Sequence, residues 1–401
     1  MNKSALSLFL LLAFTATVKS DVFDITKFGA TPGGDAAPAF TSAWKEACAA
    51  PAASSLVVPK GIFPVSRVTF AGPCKSHITF QLQGTLQAPA SASGFKEGEG
   101  WINFLHVEGL TLTGGGTFDG QGKQTYLKHC DRQSFCAQLP VNVRFDFVKN
   151  ALIDGITSLD SKQFHMMIIS NENVTFQNVK IDAPGDSPNT DGMHIARSTQ
   201  VKVLDTVIKT GDDCISIGDG SRQILVERVT CGPGHGISVG SLGKYQNEQP
   251  VVGVTVRNCI FKGTQNGVRI KSWPGAEATK GEASELHFEG LTMDNVLSSL
   301  ISIDQVYCPW DKCNKEVPSK VQLSGITFSD IKGTSTLNNP LKLVCSSAHP
   351  CKNVKLQNID LQYKGKDGAP ISQCTNVDPI ITGNVFPKPC TSTVDPLEVK
   401  S

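Results

Sequence analysis

Two adjacent aspartates, Asp212 and Asp213, lie in the stretch "TGDDCISIG", between a glycine and an apolar run that predicts a β-strand. Successive side chains of a strand point to opposite faces, so a turn explains one aspartate but leaves the second without a reason. Crowding of like charges raises the pKa of one carboxyl group, so a close pair can supply both an acid and a base. The pair is therefore a candidate site for acid–base chemistry.

Three further polar motifs share a spacing with this pair: Asp191 in "NTDG", His235 in "GHG", and Arg269 with Lys271 in "RIK". The step to Asp212 from the aspartate of "NTDG" is 21 residues, and the step from Asp213 to the histidine is 22. The next step, 34 residues, is lengthened by the polar insert 241–250, which we expect to form a loop. Each motif alone is typical of a turn or a solvated strand, but together they follow one period.

That period matches a repeat of short apolar runs, such as "NVTFQNVKI", "QVKVLDTVI" and "QILVERVTC". From Val174 to Val201 is 27 residues and from Val201 to Ile224 is 23, the length of stacked solenoid coils. Amphipathic helices, the longer strands of a sandwich and the 40-residue blades of a propeller are not visible. The sequence predicts an all-β fold, a parallel β-helix, with a helix at 36–48 that caps its first coil.

Residues one period apart in such a solenoid lie above one another, about 4.8 Å apart per coil. The polar motifs therefore form a column of carboxylates, an imidazole and two cations along one groove. Arg269 and Lys271 are two residues apart on a strand, so both side chains point to the same face. This arrangement suits an extended anionic polymer better than a small ligand.

The first twenty residues contain one lysine, the apolar run "ALSLFLLLAF" and a polar exit, which predicts a secretory signal peptide over 1–20. We expect the mature chain, 21–401, to be one secreted β-helical domain. The formal net charge is +1, so no global field attracts polyanions, and neither a nucleic acid nor a membrane is expected as a partner.

The chain has 13 cysteines, all of them after the predicted signal peptide. An exported protein can form disulfides, and neighbours in sequence suggest the pairs Cys48–Cys74, Cys130–Cys136, Cys214–Cys231, Cys308–Cys313, Cys345–Cys351 and Cys374–Cys390. Cys259 then remains as a buried thiol. The absence of a CxxC pair argues against zinc, and no metal or cofactor is expected. Asn173 begins the one N-glycosylation sequon after residue 20.

The four motifs, in this order and at these spacings, resemble the signature of the polygalacturonases, glycoside hydrolase family 28. The resemblance covers nearly the whole chain after the signal peptide, from "FDITKFGA" at 23–30 onward. It implies a right-handed parallel β-helix, in agreement with the repeat. Within the family, the sequence is most similar to pollen-type exopolygalacturonases of plants, some of which are allergens.

The resemblance also implies roles for these residues in hydrolysis with inversion of the anomeric centre. Asp212 is expected to be the general acid, and Asp191 and Asp213 to hold and deprotonate a water molecule. An inverting pair of carboxyl groups is separated by roughly 6.5–9.5 Å. His235 is expected to set the protonation of the acid.

Four residues are expected to bind the sugar: Asn189, Arg269, Lys271 and Tyr307. The two cations suit the carboxylate of a galacturonate ring, and the tyrosine is carried over from the family. The implied substrate is polygalacturonate in the plant cell wall, cleaved by a monomeric, exo-acting enzyme that releases galacturonate.

Several alternatives remain open at the level of sequence. Endo cleavage depends on whether loops close the groove. A pectate lyase shares the fold and the polymer, but it abstracts a proton and often uses calcium. Rhamnogalacturonan hydrolase is a relative with other motifs. A non-catalytic wall-binding protein is expected to have lost an aspartate, and none is lost here.

Overall fold

A computed structural model describes residues 21–96, 98–129, 139–275, 281–366 and 368–389. The predicted signal peptide, 1–20, lies outside these ranges. Among the described residues, no helix combines the length and apolar character needed to cross a membrane.

The described chain contains 33 short strands and few helices. The first eleven strands are β1 (Asp21–Asp24), β2 (Ser54–Val58), β3 (Ile62–Pro64), β4 (Val68–Ala71), β5 (Ile78–Leu82), β6 (Thr85–Gln87), β7 (Gly100–Leu105), β8 (Leu110–Thr113), β9 (Thr117–Asp119), β10 (Val141–Asp146) and β11 (Lys149–Asp154). The next eleven are β12 (Thr157–Leu159), β13 (Met166–Ile169), β14 (Glu172–Gln177), β15 (Lys180–Asp182), β16 (Met193–Ala196), β17 (Thr199–Leu204), β18 (Val207–Lys209), β19 (Ile215–Ile217), β20 (Arg222–Glu227), β21 (Thr230–Cys231) and β22 (Ile237–Leu242). The last eleven are β23 (Val251–Arg257), β24 (Ile260–Lys262), β25 (Val268–Ser272), β26 (Gly281–Glu289), β27 (Thr292–Val296), β28 (Ile301–Asp304), β29 (Val321–Ser335), β30 (Leu341–Val344), β31 (Lys352–Tyr363), β32 (Ser372–Thr375) and β33 (Ile380–Phe386).

These strands form two parallel sheets, one of 22 strands and one of 11. The 11-stranded sheet runs in the order β4, β7, β10, β13, β16, β19, β22, β25, β28, β30, β32, so each coil adds one strand to it. Val174 of β14 pairs with Val201 of β17, which is the 27-residue step expected from the sequence. The parallel β-helix is confirmed.

The core lies between the sheets and is built by alternation along each strand. In β5, for example, Ile78, Phe80 and Leu82 are buried, and the residues between them are partly exposed. Equivalent positions of successive coils stack inside the solenoid, as Phe104 and Phe145 do with nearly parallel rings 5.2 Å apart. Burial of each such ring contributes roughly 1.5–3 kcal/mol to stability.

The predicted capping helix is α1, Ala37–Ala49. It buries Phe40 and Trp44 against the first coils, where Trp44 packs on Phe70 at 5.0 Å. A second helix, α2, spans Lys123–His129 and was not predicted, because seven mostly polar residues show too little apolar periodicity. Two short 3₁₀ segments occupy Ile25–Phe28 and Pro309–Asp311.

Asparagines at positive φ occupy equivalent positions near the start of β11 and of β14 in successive coils. Asn150 and Asn173 have φ near +51° and +54°, and the Nδ2 of Asn173 donates to the Oδ1 of Asn150 over 2.7 Å. Asparagine tolerates this backbone conformation better than most residues, which explains its presence at these two positions. The predicted glycosylation residue, Asn173, is thus exposed and hydrogen-bonds to the asparagine at the equivalent position of the previous coil.

Four of the predicted disulfides are present: Cys48–Cys74, Cys214–Cys231, Cys308–Cys313 and Cys345–Cys351. Cys259 is a buried free thiol, as expected. The predicted pairs Cys130–Cys136 and Cys374–Cys390 each include a residue outside the described ranges.

Candidate active site

A cavity of about 540 Å³ lies on the side of the 11-stranded sheet that faces away from the core. Six predicted site residues line it: Asn189, Asp191, Asp212, Asp213, Lys271 and Tyr307. The other two, His235 and Arg269, hydrogen-bond to aspartates of this group. The structure therefore brings together all eight residues expected from the sequence.

Close backbone packing shapes the turn that carries the paired aspartates. A Cβ on Gly211 would lie 2.0 Å from the carbonyl oxygen of Ser187, so the glycine of "GDD" is required by contact with the previous coil. Gly236, after His235, has φ +97° and would place a Cβ 2.1 Å from the oxygen of Gly267. The glycines of these motifs are thus explained by packing.

The register corrects one detail of the expected column. Met193 pairs with Ile215, and Ile215 pairs with Ile237, a period of 22 residues in both steps. Two residues before each of these positions lie Asp191, Asp213 and His235. Asp213, and not Asp212 as the 21-residue step suggested, is therefore level with Asp191.

The side chain of Asp213 is 1% exposed and is enclosed by donors. Its Oδ2 accepts from the Nζ of Lys271 at 2.7 Å, and its Oδ1 accepts from Arg269 at 3.2 Å and from the hydroxyl of Ser238 at 2.9 Å. Burial by itself raises the pKa of Asp213, but the charges of Lys271 and Arg269 override it and hold that pKa well below its usual range. Asp213 is therefore a carboxylate.

Asp191 is in the opposite electrostatic situation. Burial raises its pKa well above the usual value, and the charges of Asp212 and Asp213 raise it further. Lys271 and a hydrogen bond from the hydroxyl of Ser216 to Oδ2, at 2.8 Å, oppose this rise only in part. Crowding of like charges thus adds to burial in raising the pKa of Asp191.

Asp212 is the more accessible of the adjacent pair, with 22% of its side chain exposed. Its Oδ1 lies 3.0 Å from Nδ1 of His235 and also accepts the backbone N–H of Asp213 at 2.8 Å. The backbone N–H of His235 donates to the carbonyl of Asp212 at 2.7 Å. The histidine therefore contacts Asp212 twice, once at the carboxyl group and once at the backbone carbonyl, in agreement with its expected position beside it.

Asp212 and Asp213 are closer than an inverting acid–base pair is expected to be. One oxygen of each, together with a ring nitrogen of His235, lies within 4.8 Å of the others. The expected separation of 6.5–9.5 Å does not describe this pair, because the two residues are adjacent in sequence. Lys271 and Arg269 offset the repulsion between the carboxylates at this distance.

Within the described ranges, Asp212, Asp213 and His235 form a group whose possible ligand atoms lie close enough together to hold a metal ion. Both oxygens of Asp213 already accept hydrogen bonds from cations. A divalent ion would have to displace Lys271 and Arg269 or approach their positive charges. The donor set therefore does not favour a metal.

Tyr307 and the two cations form one wall of the site. The Tyr307 ring centroid is 5.1 Å from Nζ of Lys271 and 5.6 Å from the guanidinium carbon of Arg269. These distances allow cation–π attraction. Burial raises the pKa of the Tyr307 hydroxyl, which keeps it neutral. Asn189, at φ +51°, lines the cavity beside Asp191.

Sequence reasoning missed His194, Ser216 and Ser238, which follow one another at 22-residue steps. They occupy one register column of β16, β19 and β22, and Arg269 of β25 continues it. Nδ1 of His194 is 2.8 Å from the hydroxyl of Ser216, and burial lowers the pKa of His194 to about 4. The 22-residue spacing of these three residues could have identified them, since the same spacing relates Asp191, Asp213 and His235.

Comparison with known protein families identifies the family to which this chain belongs. The model for glycosyl hydrolases family 28 matches residues 48–387. The chain belongs to that family. The resemblance read from the motifs is thereby confirmed, and the chain is a glycosyl hydrolase.

Two plant relatives match over most of their length. A polygalacturonase of Gossypium barbadense is 51% identical over 391 residues, which are 96% of this chain and 95% of that protein. An exopolygalacturonase of Oenothera organensis is 52% identical over 358 residues, 89% of this chain and 98% of that protein.

A solved structure supports the fold of this family 28 chain. The endo-xylogalacturonan hydrolase from Aspergillus tubingensis superposes with a TM-score of 0.75 at 24% identity, covering 93% of this chain and 99% of that one. At this identity the likeness concerns the β-helix alone. Glycoside hydrolysis requires two carboxyl groups, and the site described above offers three.

Proposed function

We propose that this family 28 hydrolase cleaves the α-1,4 linkages of polygalacturonate with inversion, acting from the chain end and releasing galacturonate. The observation that carries the proposal is the buried Asp213, which Lys271 and Arg269 hold as a carboxylate beside two further aspartates. Carboxylates supply the acid and the base, and the cations suit an anionic sugar. The names of the plant relatives agree with this substrate.

The three aspartates act as one unit that shares a proton, because strongly interacting groups titrate together. In the enzyme without substrate, the raised pKa of Asp191 favours the proton there. When the glycosidic oxygen lies beside Asp212, the proton is needed on Asp212, which donates it to the leaving group. Asp191 and Asp213 are then both carboxylates and hold the attacking water.

Asp213 is the base in this scheme, since its pKa is held low and it stays ionised at acidic pH. His235 is a positioning residue for Asp212 through its contact with Oδ1. Water gives a proton to Asp213 and attacks the anomeric carbon from the side opposite the bond that breaks, which inverts the configuration. Inversion is proposed from the family resemblance and not from the separation of Asp212 and Asp213, which is shorter than that of a usual inverting pair. The bond between the anomeric carbon and the leaving oxygen breaks as Asp212 gives its proton to that oxygen.

Arg269 and Lys271 are proposed to bind the carboxylate of one galacturonate ring, with Tyr307 against the sugar and Asn189 orienting the sugar or Asp191. The two cations touch Asp213 and Tyr307 at once, so the substrate site and the base share the same groups. Substrate binding and catalysis are therefore expected to be affected together by substitutions at either cation.

Exo action is supported by the loops that line the cavity. The insert 241–250 contributes Lys244, Tyr245 and Glu248, and the segment after β28 contributes Tyr307 and Pro309. Loops that narrow a groove favour attack at a chain end over attack in the middle. Secretion to the cell wall is proposed from the signal-like segment 1–20 and is supported by the disulfides.

The test is a time course of products from polygalacturonate, resolved by size, read for ultraviolet absorbance and followed by NMR for the anomer first formed. Saturated monogalacturonate from the first minutes, initially as the inverted anomer, is the expected result. A shrinking ladder of saturated oligomers would indicate an endo enzyme. Unsaturated products that absorb in the ultraviolet would overturn hydrolysis in favour of a lyase, and binding without turnover would indicate a wall-binding protein.

A further inference from the structure

We propose that Lys244 binds the carboxylate of a second galacturonate ring, next to the ring held at Arg269 and Lys271. The proposal rests on the proposed function, because polygalacturonate carries one carboxylate on every ring. It adds a specificity determinant on the 241–250 insert, outside the motifs that identify the catalytic site.

The ammonium group of Lys244 has no carboxylate partner among the described residues. The acidic residue of the same loop, Glu248, is occupied elsewhere. Its two oxygens accept the backbone N–H groups of Gly243, Lys244 and Tyr245, at 2.6, 3.0 and 2.9 Å. Glu248 thus closes the turn of the loop and leaves the side-chain charge of Lys244 free.

Aromatic rings hold this charge at the cavity. Nζ of Lys244 lies 4.9 Å from the ring centroid of Trp273 and 5.2 Å from that of Tyr245. Cation–π attraction at these distances favours the position without neutralising the charge. A lysine held in this way keeps its three N–H donors for an anion.

The aromatic wall connects Lys244 to the first cation site. Trp273 contacts Tyr307 edge to face, with centroids 5.7 Å apart, and Lys271 lies over Tyr307. Trp273 and Tyr307 therefore form a continuous aromatic wall. Lys244 lies against Trp273 at one end of it, and Lys271 lies against Tyr307 at the other. Both lysines line the same cavity, so a chain of uronate rings along this wall meets them in succession.

The other cations that line the cavity already have acidic partners. Lys271 pairs with Asp213 at 2.7 Å, and Arg197 lies 3.5 Å from Asp219. Among the lining cations that the structure describes, Lys244 is the one whose charge a substrate can pair without competing with a carboxylate of the protein.

The contact makes the enzyme sensitive to esterification of a second ring. A methyl ester on the ring bound at Lys244 removes the negative charge that the ammonium group attracts. Because Lys244 is exposed, the expected effect is moderate, roughly a twofold to fivefold change in KM.

The experiment compares Lys244→Met, Lys244→Arg and the unsubstituted enzyme on trigalacturonate and on its three singly methyl-esterified forms. Lys202→Met is the matched control, since Lys202 is an exposed lysine on β17 of the 22-stranded sheet, remote from the cavity. Each KM and kcat is measured at low and at high salt, because an ion pair at an exposed site weakens with ionic strength.

Lys244→Met is expected to raise the KM for trigalacturonate roughly twofold to fivefold, with kcat retained, and to lose discrimination against one of the monoesters. Lys244→Arg should keep both properties, and Lys202→Met should match the unsubstituted enzyme. An unchanged KM and unchanged ester discrimination in Lys244→Met would overturn the proposal while leaving hydrolysis of polygalacturonate intact. Failure of the unsubstituted enzyme to cleave trigalacturonate would instead count against the proposed function.

Discussion

Nζ of Lys271 donates to Oδ2 of Asp213 over 2.7 Å, and the two side chains are 8% and 1% exposed. A buried pair of this kind adds little net stability, but loss of one partner leaves an uncompensated charge. Since Lys271 also lies over Tyr307 in the cavity, one ammonium group connects the proposed base to the proposed sugar site.

Lys271→Met is expected to destabilise the fold by about 3 kcal/mol near neutral pH and to lower kcat/KM at least a hundredfold. The depressed pKa of Asp213 contributes stability above its unfolded pKa, and that stability is lost as the pH falls through the folded pKa. The Tm difference from the unsubstituted enzyme should therefore be largest near pH 6 and narrow in acid.

Lys271→Arg is the control for this prediction, because it keeps the charge beside Asp213 and should recover most of the stability. Differential scanning calorimetry from pH 3 to pH 7 measures the difference in Tm. A Tm gap for Lys271→Met that is the same at every pH would mean that the ion pair is not its cause.

Asp191→Asn is expected to stabilise the protein near neutral pH while abolishing activity. The raised pKa of Asp191 means that its contribution to stability is present below the unfolded pKa, about 3.9, and is lost as the pH rises through the folded pKa. Asparagine is neutral at every pH and its Oδ1 can still accept from Ser216. A gain of roughly 0.5–2 kcal/mol is typical of relieved active-site strain.

Thermal unfolding at pH 3.5 and pH 7 tests the sign of this effect. The variant should be more stable than the unsubstituted enzyme at pH 7 and about equal to it at pH 3.5. A lower Tm at pH 7 would contradict the raised pKa.

The sequence predicted the fold because the β-helix repeats its signals many times. Alternating apolar residues and steps of one coil length recur, so Val174, Val201 and Ile224 could be aligned across steps of 27 and 23 residues without coordinates. Helix α2 gave no comparable signal, being a single short segment. The site residues were predictable for the same reason, since the period decides which distant residues become neighbours.

The protonation states of the site residues were less predictable from the sequence than the identity of these residues. The sequence indicated that carboxylates crowd together, but which one has a raised pKa depends on burial and on the direction of long side chains. Lys271 and Arg269 reach Asp213 and lower its pKa, whereas the pKa of Asp191 is raised by burial and by the two neighbouring aspartates. Lys244 lacks a carboxylate partner because Glu248 accepts backbone N–H groups of its own loop. The spacing of residues in the sequence does not predict this contact.

Asp212→Asn is expected to reduce hydrolysis of polygalacturonate by at least a thousandfold without unfolding the protein. The amide cannot protonate the leaving oxygen, and general acid–base steps contribute typically 10²–10⁴-fold. An aryl galacturonide with an acidic phenol as its leaving group needs no such proton, so its cleavage should be reduced far less. The measurement is the ratio of kcat/KM for the two substrates in the variant and in the unsubstituted enzyme. Equal losses on both substrates would contradict the assignment of Asp212 as the acid.

Ser216→Ala is expected to move the alkaline limb of the pH–activity profile upward and to lower kcat/KM roughly tenfold. The hydroxyl donates to Oδ2 of Asp191 at 2.8 Å and lowers the pKa of that carboxyl group, so its loss holds the shared proton more tightly on Asp191. Transfer of the proton to Asp212 then costs more, by about 1.5 kcal/mol for a hydrogen bond to a charged group. Ser216→Thr keeps the hydroxyl and should restore the limb. A tenfold loss with an unmoved pH profile would mean that Ser216 acts only on the shape of the cavity.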